Sequence, residues 1–185
     1  MTVILTGDDA ARRQVTATVA APRPLTDAAR LRAVAGLLTD PNPLDDMDLT
    51  LLVAEVARSA GAQTVMVSLM LNDAAVTIAA AGLPEPLAEG GGLPVEWTPC
   101  GVVAGSDRPV AIGDLATDPV YRDTPLTLAF GLRAYAGVPL HNGCGLVVGT
   151  LAVLDSRPHA FGLPLLDRLT LDADNFTALL ERRRR

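Results

Sequence analysis

Apolar residues recur at three- and four-residue spacings in two segments near the start of the chain, a pattern that predicts amphipathic helices. The first helix is expected to begin after Asp27, a residue type that caps helices, and to end before Pro41. The second is expected to begin near Asp48 and to end at Gly61, because glycine readily adopts the left-handed conformation that follows many helices. Each helix needs an apolar surface to cover.

Alternation of side chains with a period of two, bounded by turn residues, predicts five strands. They comprise residues 64–71, 76–81, 109–113, 133–140 and 146–154. Asn142-Gly143 separates the last two strands, and this dipeptide supplies the positive φ angles of a hairpin turn. Glycine and proline in residues 82–94 predict a loop before a short helix at 99–105, and a second loop with a brief helix is expected at 114–131.

The last helix is predicted to start near Pro164 and to run into the basic residues that follow it. Its apolar positions are three and four residues apart: Leu166, Leu169, Ala173, Phe176 and Leu180. So narrow a stripe favours a helix partner over a broad sheet face, which points to a homodimer or another helical partner. Packing against the chain's own first helix is the alternative, and two heptads are too few to decide.

The composition is that of one globular domain. The chain has 185 residues, and 49% of them are apolar, which is enough to bury a core without a metal or disulfides. Residues 1–24 show no clear period and predict a loosely packed arm, followed by the domain at 25–181 and a basic tail at 182–185. The two cysteines, Cys100 and Cys144, predict neither a disulfide framework nor a zinc site.

Charge and hydropathy exclude several classes of protein. The formal net charge is −6 although four of the 15 basic residues fall in 182–185, so the body of the chain repels nucleic acid. Lysine is absent, which excludes a Walker-type phosphate loop and Schiff-base chemistry, and arginine in its place suggests a bacterial source. No segment resembles a membrane span or a signal peptide, so we expect a cytoplasmic protein that binds neither nucleic acid nor membranes.

Several segments resemble the GAF domain family. The run Arg133-Ala-Tyr-Ala-Gly-Val-Pro-Leu140, with Gly149-Thr-Leu-Ala-Val-Leu-Asp155 after the turn, is similar to the closing hairpin of these domains. Asp107-Arg-Pro-Val-Ala-Ile-Gly-Asp114 and Tyr121-Arg-Asp-Thr-Pro-Leu126 resemble the family's third strand and the loop beyond it. The resemblance spans roughly residues 26–181.

The resemblance implies an α+β fold of the GAF/PAS type. In such a fold a central antiparallel sheet of about five or six strands has the N- and C-terminal helices on one face. The other face holds a ligand pocket with short helices and loops. Members of the family bind cyclic nucleotides, haem, bilins or small metabolites, and some bind no ligand, so the fold leaves the function open.

The sequence departs from the family's known cofactor signatures. The lysine of the cyclic-nucleotide signature is absent, and neither Cys100 nor Cys144 is followed by the histidine typical of bilin attachment. His141 falls in the predicted hairpin turn and His159 past the last strand, where neither would bind haem. No cofactor is therefore predicted, and an unknown small ligand remains open.

The resemblance places nine candidate ligand-binding residues in or beside the pocket. They are Trp97, Cys100, Asp114, Asp118, Tyr121, Arg122, Phe130, Arg133 and Tyr135. Aromatic rings suit a small organic ligand, and the charged side chains would bind its polar groups. In the alternative interpretation, the aromatic rings fill the core and the arginines pair with the aspartates.

These observations predict a non-catalytic sensory or regulatory domain that binds a small molecule or a partner and signals through its terminal helices. The partner would be a second copy, a separate histidine kinase or a transcriptional regulator. One alternative is a thiol-dependent free methionine-(R)-sulfoxide reductase, since these enzymes are also GAF domains. However, the loop at 114–131, where the resemblance places the attacking thiol, contains no cysteine. The other alternative is an interaction domain without a ligand.

Overall fold

The computed structural model describes residues 3–4, 25–38 and 47–183. Within these ranges, seven strands form one antiparallel sheet in the order β1-β5-β6-β7-β2-β3-β4. The strands are β1 Val3–Ile4, β2 Thr64–Met70, β3 Ala74–Ala81, β4 Gly92–Pro94, β5 Val110–Ile112, β6 Ala134–His141 and β7 Val147–Asp155. Five of them confirm the predicted strands. The sequence does not predict β1 and β4, because two or three residues are too few to show a period.

Six α-helices accompany the sheet in the same ranges. They are α1 Ala28–Leu37, α2 Met47–Ala60, α3 Glu85–Glu89, α4 Cys100–Ser106, α5 Pro125–Leu128 and α6 Leu163–Arg183. Asp27 Oδ1 accepts a hydrogen bond from Arg30 N at 2.7 Å, which confirms the predicted cap of α1. Gly61 follows α2 with a φ of 59°, as expected for a helix end. The predicted stop at Pro41, and the arm at 1–24 apart from β1, lie outside the described residues.

The hairpin of β6 and β7 is confirmed, but a different glycine makes the turn. Gly145 has the positive φ, at 73°, and its N–H donates to the carbonyl of Asn142 at 2.8 Å. Asn142 Oδ1 accepts from the N–H groups of Cys144 at 3.1 Å and Leu146 at 2.9 Å. Asn142 therefore stabilises the turn through its side chain, and Gly143 does not need a positive φ.

One face of the sheet is covered by α1, α2 and α6. All five residues of the predicted α6 stripe are buried in this core, together with alternate residues of β2, β6 and β7. Leu169 and Phe176 have no exposed surface at all. The stripe is narrow because three helices share the sheet and each covers only part of it. This packing corrects the assignment of Leu166, Leu169, Ala173, Phe176 and Leu180 to a partner helix.

The opposite face, here called the second face, has its own apolar core beneath α3, α4, α5 and the loops around them. The large side chains that are fully or almost fully buried in this core include Tyr135, Met66, Met70 and Ile112. Because successive residues of a strand point to opposite faces, β2 and β7 contribute to both cores. The arrangement of an α+β fold with its terminal helices on one face is confirmed.

Candidate functional site

Three of the nine candidate residues meet in the second face. Cys100 and Tyr135 have no exposed surface, and Tyr121 is 4% exposed. Tyr135 donates its hydroxyl to Cys100 Sγ at 3.3 Å, and Thr98 donates its hydroxyl to the same sulfur at 3.2 Å. Burial raises the pKa of both tyrosines, with smaller contributions from Cys100 for Tyr135 and from Asp118 for Tyr121. Both phenols are therefore neutral at any physiological pH, and Tyr135 remains a hydrogen-bond donor.

The ring of Tyr135 fills the space above its own strand. A Cβ atom added at Gly137 would lie 2.2 Å from the Tyr135 hydroxyl oxygen and 2.7 Å from the ring carbon that bears it. Gly137 thus permits the tyrosine to lie flat along β6. Trp97 and Phe130 pack half-buried at the margin of the same core. The protein's own aromatic side chains therefore occupy this region, as expected from the alternative interpretation in which the aromatic rings fill the core.

Asp114 and Arg133 pair with each other. Arg133 donates from Nε to Oδ1 at 2.7 Å and from Nη2 to Oδ2 at 2.8 Å. Asp114 Oδ1 also accepts from Ala116 N at 3.1 Å, at the start of a short 3₁₀ turn. The hydrogen bonds from Arg133 lower the pKa of Asp114, and the same carboxylate raises the pKa of Arg133. The pair joins the loop after β5 to the start of β6, which is a structural role.

The other two charged candidates also have partners within the loop. Asp118 is buried, and its Oδ1 accepts from the N–H groups of Val120 at 2.9 Å and Tyr121 at 3.3 Å. Arg122 is exposed and bonds the neighbouring Asp123 at 3.1 Å. Asp118 therefore shapes the loop, whereas Arg122 lies on the surface away from the tyrosines in the core.

The structure reveals a polar pair that the sequence analysis missed. Ser68 on β2 lies opposite Thr150 on β7, and both side chains are fully buried. Within the ranges that the structure describes, neither Ser68 Oγ nor Thr150 Oγ1 has a hydrogen-bond partner. Thr77 on β3 lies opposite Ser68 on its other side, so three hydroxyl residues form a row across neighbouring strands. Period-two alternation with Met66, Met70 and Ala152 places this row on the second face.

The two cysteines are too far apart to act together. Cys100 Sγ lies beside the Tyr135 hydroxyl, above Gly137, whereas Cys144 is exposed in the turn beyond His141. The four residue-to-residue steps along β6 from Gly137 to His141 span about 13 Å. A disulfide needs Cα atoms within about 7 Å of each other. The fold therefore separates the buried thiol from the exposed one.

The histidines lie on the surface, as predicted. His141 Nε2 is 2.6 Å from Asp107 Oδ1, an ion pair or hydrogen bond that joins β6 to the residue after α4. The exposed His159 ring contacts Phe161, with 4.7 Å between the ring centroids. In the described ranges, no group of three metal-binding side chains comes together. None of the helices described combines the length and apolar character that a membrane span requires.

A groove of about 770 Å³ lies on the helix side of the molecule, between α2 and α6. It is lined by Asp48, Leu51, Leu52, Glu55, Asn175, Ala178, Leu179, Glu181 and Arg182. None of these residues was a candidate from the sequence. The amphipathic pattern predicts the buried stripes of both helices, but it gives no signal for a groove on their outer surfaces.

A central antiparallel sheet, with long helices on one face and short helices and loops over the other, defines an α+β domain of the GAF/PAS type. The chain belongs to the GAF domain family, which matches residues 46–172. Curated proteins compared with the chain gave no match.

Solved structures share the fold. One is the GAF domain of a phosphoenolpyruvate-protein phosphotransferase from Coxiella burnetii, at 20% identity and a TM-score of 0.62, covering 84% of this chain and 93% of that one. A domain of a putative sensor histidine kinase from Sinorhizobium meliloti 1021 has 16% identity, a TM-score of 0.58 and coverages of 72% and 89%. A type II free methionine-R-sulfoxide reductase from Thermoplasma acidophilum has 14% identity, a TM-score of 0.60 and coverages of 73% and 91%.

Proposed function

We propose that this GAF domain is a non-catalytic sensory module that takes a small polar molecule at the Ser68–Thr150 pair. The supporting observation is that Ser68 and Thr150 lie opposite each other on β2 and β7, and that both hydroxyls are fully buried and have no hydrogen-bond partner among the described residues. A buried hydroxyl that lacks a partner costs about 1–3 kcal/mol. A molecule that bonds to both hydroxyls recovers much of this free energy, so the pair favours a bound state.

Access to the pair requires a movement of α4. This helix packs on β2, β6 and β7, the strands of the pair and of Tyr135. It is seven residues long and contains Gly101 and Gly105, so its own helical stability is low. A ligand that binds only when α4 is displaced shifts the protein toward the displaced state.

Strands β2 and β7 connect this site to the helix side. Val67 and Leu69 flank Ser68, and Leu151 follows Thr150, and all three side chains belong to the core under α1, α2 and α6. A ligand that moves Ser68 or Thr150 therefore alters the surface on which these helices pack. The output would pass by contact to a second copy, a histidine kinase or a transcriptional regulator. The sensor-kinase domain from Sinorhizobium meliloti supports this class of role.

Native mass spectrometry of the purified protein, under gentle and then denaturing conditions, tests the proposal. We expect an added small mass that disappears on denaturation and is lost from the double variant Ser68→Ala/Thr150→Val. The control variant Thr177→Val should retain the mass, because this buried threonine bonds Ala173 O on α6, on the other side of the sheet. Equal occupancy in wild type and the double variant would refute the site.

An interaction domain without a ligand is the second candidate, and the packing of Tyr135 into the second face favours it. In that case the double variant Ser68→Ala/Thr150→Val should carry no mass change. It should also be as stable as the wild type or more stable, by up to about 2 kcal/mol, because two unsatisfied hydroxyls are removed. Chemical denaturation of the ligand-free proteins measures this difference.

Reductase activity receives little support from the site, although two of the similar structures are free methionine-R-sulfoxide reductases. Cys100 has no exposed surface, and Cys144 lies too far away to resolve a covalent intermediate. We therefore expect no thiol-dependent reduction of free methionine sulfoxide. Turnover that is abolished by Cys100→Ser in a folded protein would overturn the non-catalytic assignment.

A further inference from the structure

The turn between β6 and β7 holds an amide side chain next to the backbone nitrogen of a glycine. Asn142 is followed by Gly143, which is exposed and carries no Cβ atom. A bond from Gly143 N to Asn142 Cγ would close a succinimide ring made of that nitrogen and the Cγ, Cβ, Cα and C atoms of Asn142. The sequence thus supplies a nucleophile and an electrophile, and the fold determines which groups assist their reaction.

A carboxylate of α6 lies against the nucleophile. Glu181 Oε1 accepts a hydrogen bond from Gly143 N at 2.7 Å, and a Cβ atom added at Gly143 would lie 3.3 Å from Glu181 Oε2. The two residues are 38 positions apart in the sequence, so the tertiary fold alone brings them together. A carboxylate within hydrogen-bond distance of a proton is placed to take that proton as a general base.

The turn itself polarises the electrophile. Asn142 Oδ1 accepts from Cys144 N at 3.1 Å and from Leu146 N at 2.9 Å. Two N–H dipoles directed at one carbonyl oxygen stabilise the negative charge that develops on it when a nucleophile adds to its carbon. The hydrogen bonds that stabilise the turn therefore also activate the side-chain carbonyl of Asn142 for attack.

We propose that Asn142 is a site of spontaneous deamidation, for which the folded hairpin and α6 supply the assisting groups. Gly143 N forms a bond to Asn142 Cγ as its proton passes to Glu181. The bond from Cγ to Nδ2 then breaks, and the amine leaves as ammonia with the proton that Glu181 returns. Water opens the succinimide at either carbonyl, which gives aspartate or isoaspartate at this position. The reaction uses no residue of the proposed ligand site.

Deamidation changes the contact between the hairpin and α6. Both products place a new carboxylate beside Glu181, and like charges at short distance repel each other. In isoaspartate the backbone runs through Cβ and Cγ, which displaces the Asn142 carbonyl that accepts from Gly145 N at 2.8 Å. The modified turn therefore holds the end of α6 less firmly than the original turn does.

Mass spectrometry of the intact protein during incubation at neutral pH provides the first test, since replacing an NH₂ group by OH adds about 1 Da. Peptide mapping should locate the change at Asn142, with isoaspartate among the products, and should leave Asn72 and Asn175 intact. Folded wild type should react faster than the chain unfolded in urea, where Glu181 is no longer held beside the turn. A folded protein that deamidates no faster than the unfolded chain would overturn the proposal.

A substitution of the base provides the second test. Glu181→Gln retains an oxygen that accepts from Gly143 N but cannot take the proton, so it should slow the reaction of the folded protein by at least about tenfold. Glu55→Gln is the matched control, because Glu55 pairs with Arg58 on α2, and it should react as wild type does. In urea all three proteins should react at the same rate. If folded Glu181→Gln reacts as fast as wild type, the proposal is wrong.

Discussion

Tyr135 donates a hydrogen bond to the sulfur of Cys100 across 3.3 Å, in a part of the protein where neither side chain has exposed surface. The bond gives each polar group a partner in the apolar core of the second face. Thr98 supplies a second hydroxyl to the same sulfur. The three residues therefore fix the start of α4 to β6, and this link determines how the second face is closed.

Tyr135→Phe should destabilise the protein by about 1 kcal/mol, because it removes the hydrogen bond to Cys100 and keeps the volume of the ring. Urea denaturation followed by circular dichroism measures the change. Cys144→Ser, at an exposed turn position, is the control and should leave the free energy of unfolding unchanged. An equally stable Tyr135→Phe variant would show that the bond contributes nothing.

Gly137→Ala should destabilise the protein by about 1–3 kcal/mol. The new Cβ would lie 2.2 Å from the Tyr135 hydroxyl oxygen, and the buried ring has no room to withdraw. Gly113→Ala is the comparison, because its nearest atom would lie at 3.5 Å, an ordinary contact. Thermal unfolding of the two variants should differ clearly. Similar melting temperatures would mean that the ring moves freely.

The Asp114–Arg133 pair should make stability depend on pH in the acid range. Hydrogen bonds from Arg133 lower the pKa of Asp114 from its ordinary value of 3.8, so the carboxylate contributes stability above the unfolded pKa. That contribution is lost as the pH falls through the lower, folded pKa. The melting temperature of Arg133→Gln should therefore lie below that of wild type at neutral pH, and the two should converge in acid. Arg122→Gln should show no such convergence, and a constant gap for Arg133→Gln would contradict the prediction.

The two thiols should differ in reactivity. Cys144 is exposed and Cys100 is fully buried, so a thiol reagent should label one site in the native protein and two after unfolding. Cys144→Ser should abolish native labelling, whereas Cys100→Ser should not. Intact-protein mass spectrometry counts the adducts. Rapid native labelling of Cys144→Ser would show that α4 opens readily.

Phe176→Ala should destabilise the protein by about 3–5 kcal/mol, because the ring lies in the helix-side core of its own chain. The loss should be independent of protein concentration, and chemical denaturation at several concentrations measures it. If the destabilisation appeared only where the protein associates, Phe176 would belong to an interface instead.

Local signals in the sequence were sufficient for most secondary structure. Asp27 caps α1 and Gly61 ends α2, because each of these effects needs only neighbouring residues. The hairpin turn was located correctly, but the sequence could not show that Gly145 has the positive φ. Two glycines flank Cys144, and only the register of β6 against β7 determines which of them turns the chain.

The candidate site was predicted less completely than the fold. Resemblance to the family placed Cys100, Tyr121 and Tyr135 in one region, and all three lie in the same core, while their role in ligand binding stays a prediction. It could not show that Asp114 pairs with Arg133, because that contact depends on the path of the loop between them. Ser68 and Thr150 were missed since each is an ordinary strand residue until the register makes them neighbours.

The sequence by itself determined the helices except α3, which lies where a loop was predicted, and it determined the main strands and the family. Periodicity, caps and turn residues act over a few positions along the chain. Tertiary structure alone decided that the α6 stripe is buried in its own core and that the groove beside Leu51 is exposed. It also decided that Ser68 and Thr150 lie side by side with hydroxyls that have no partner in the described part of the chain. The reason is that a sheet offers two faces to any amphipathic element, and only the assembled fold shows which surfaces are already covered.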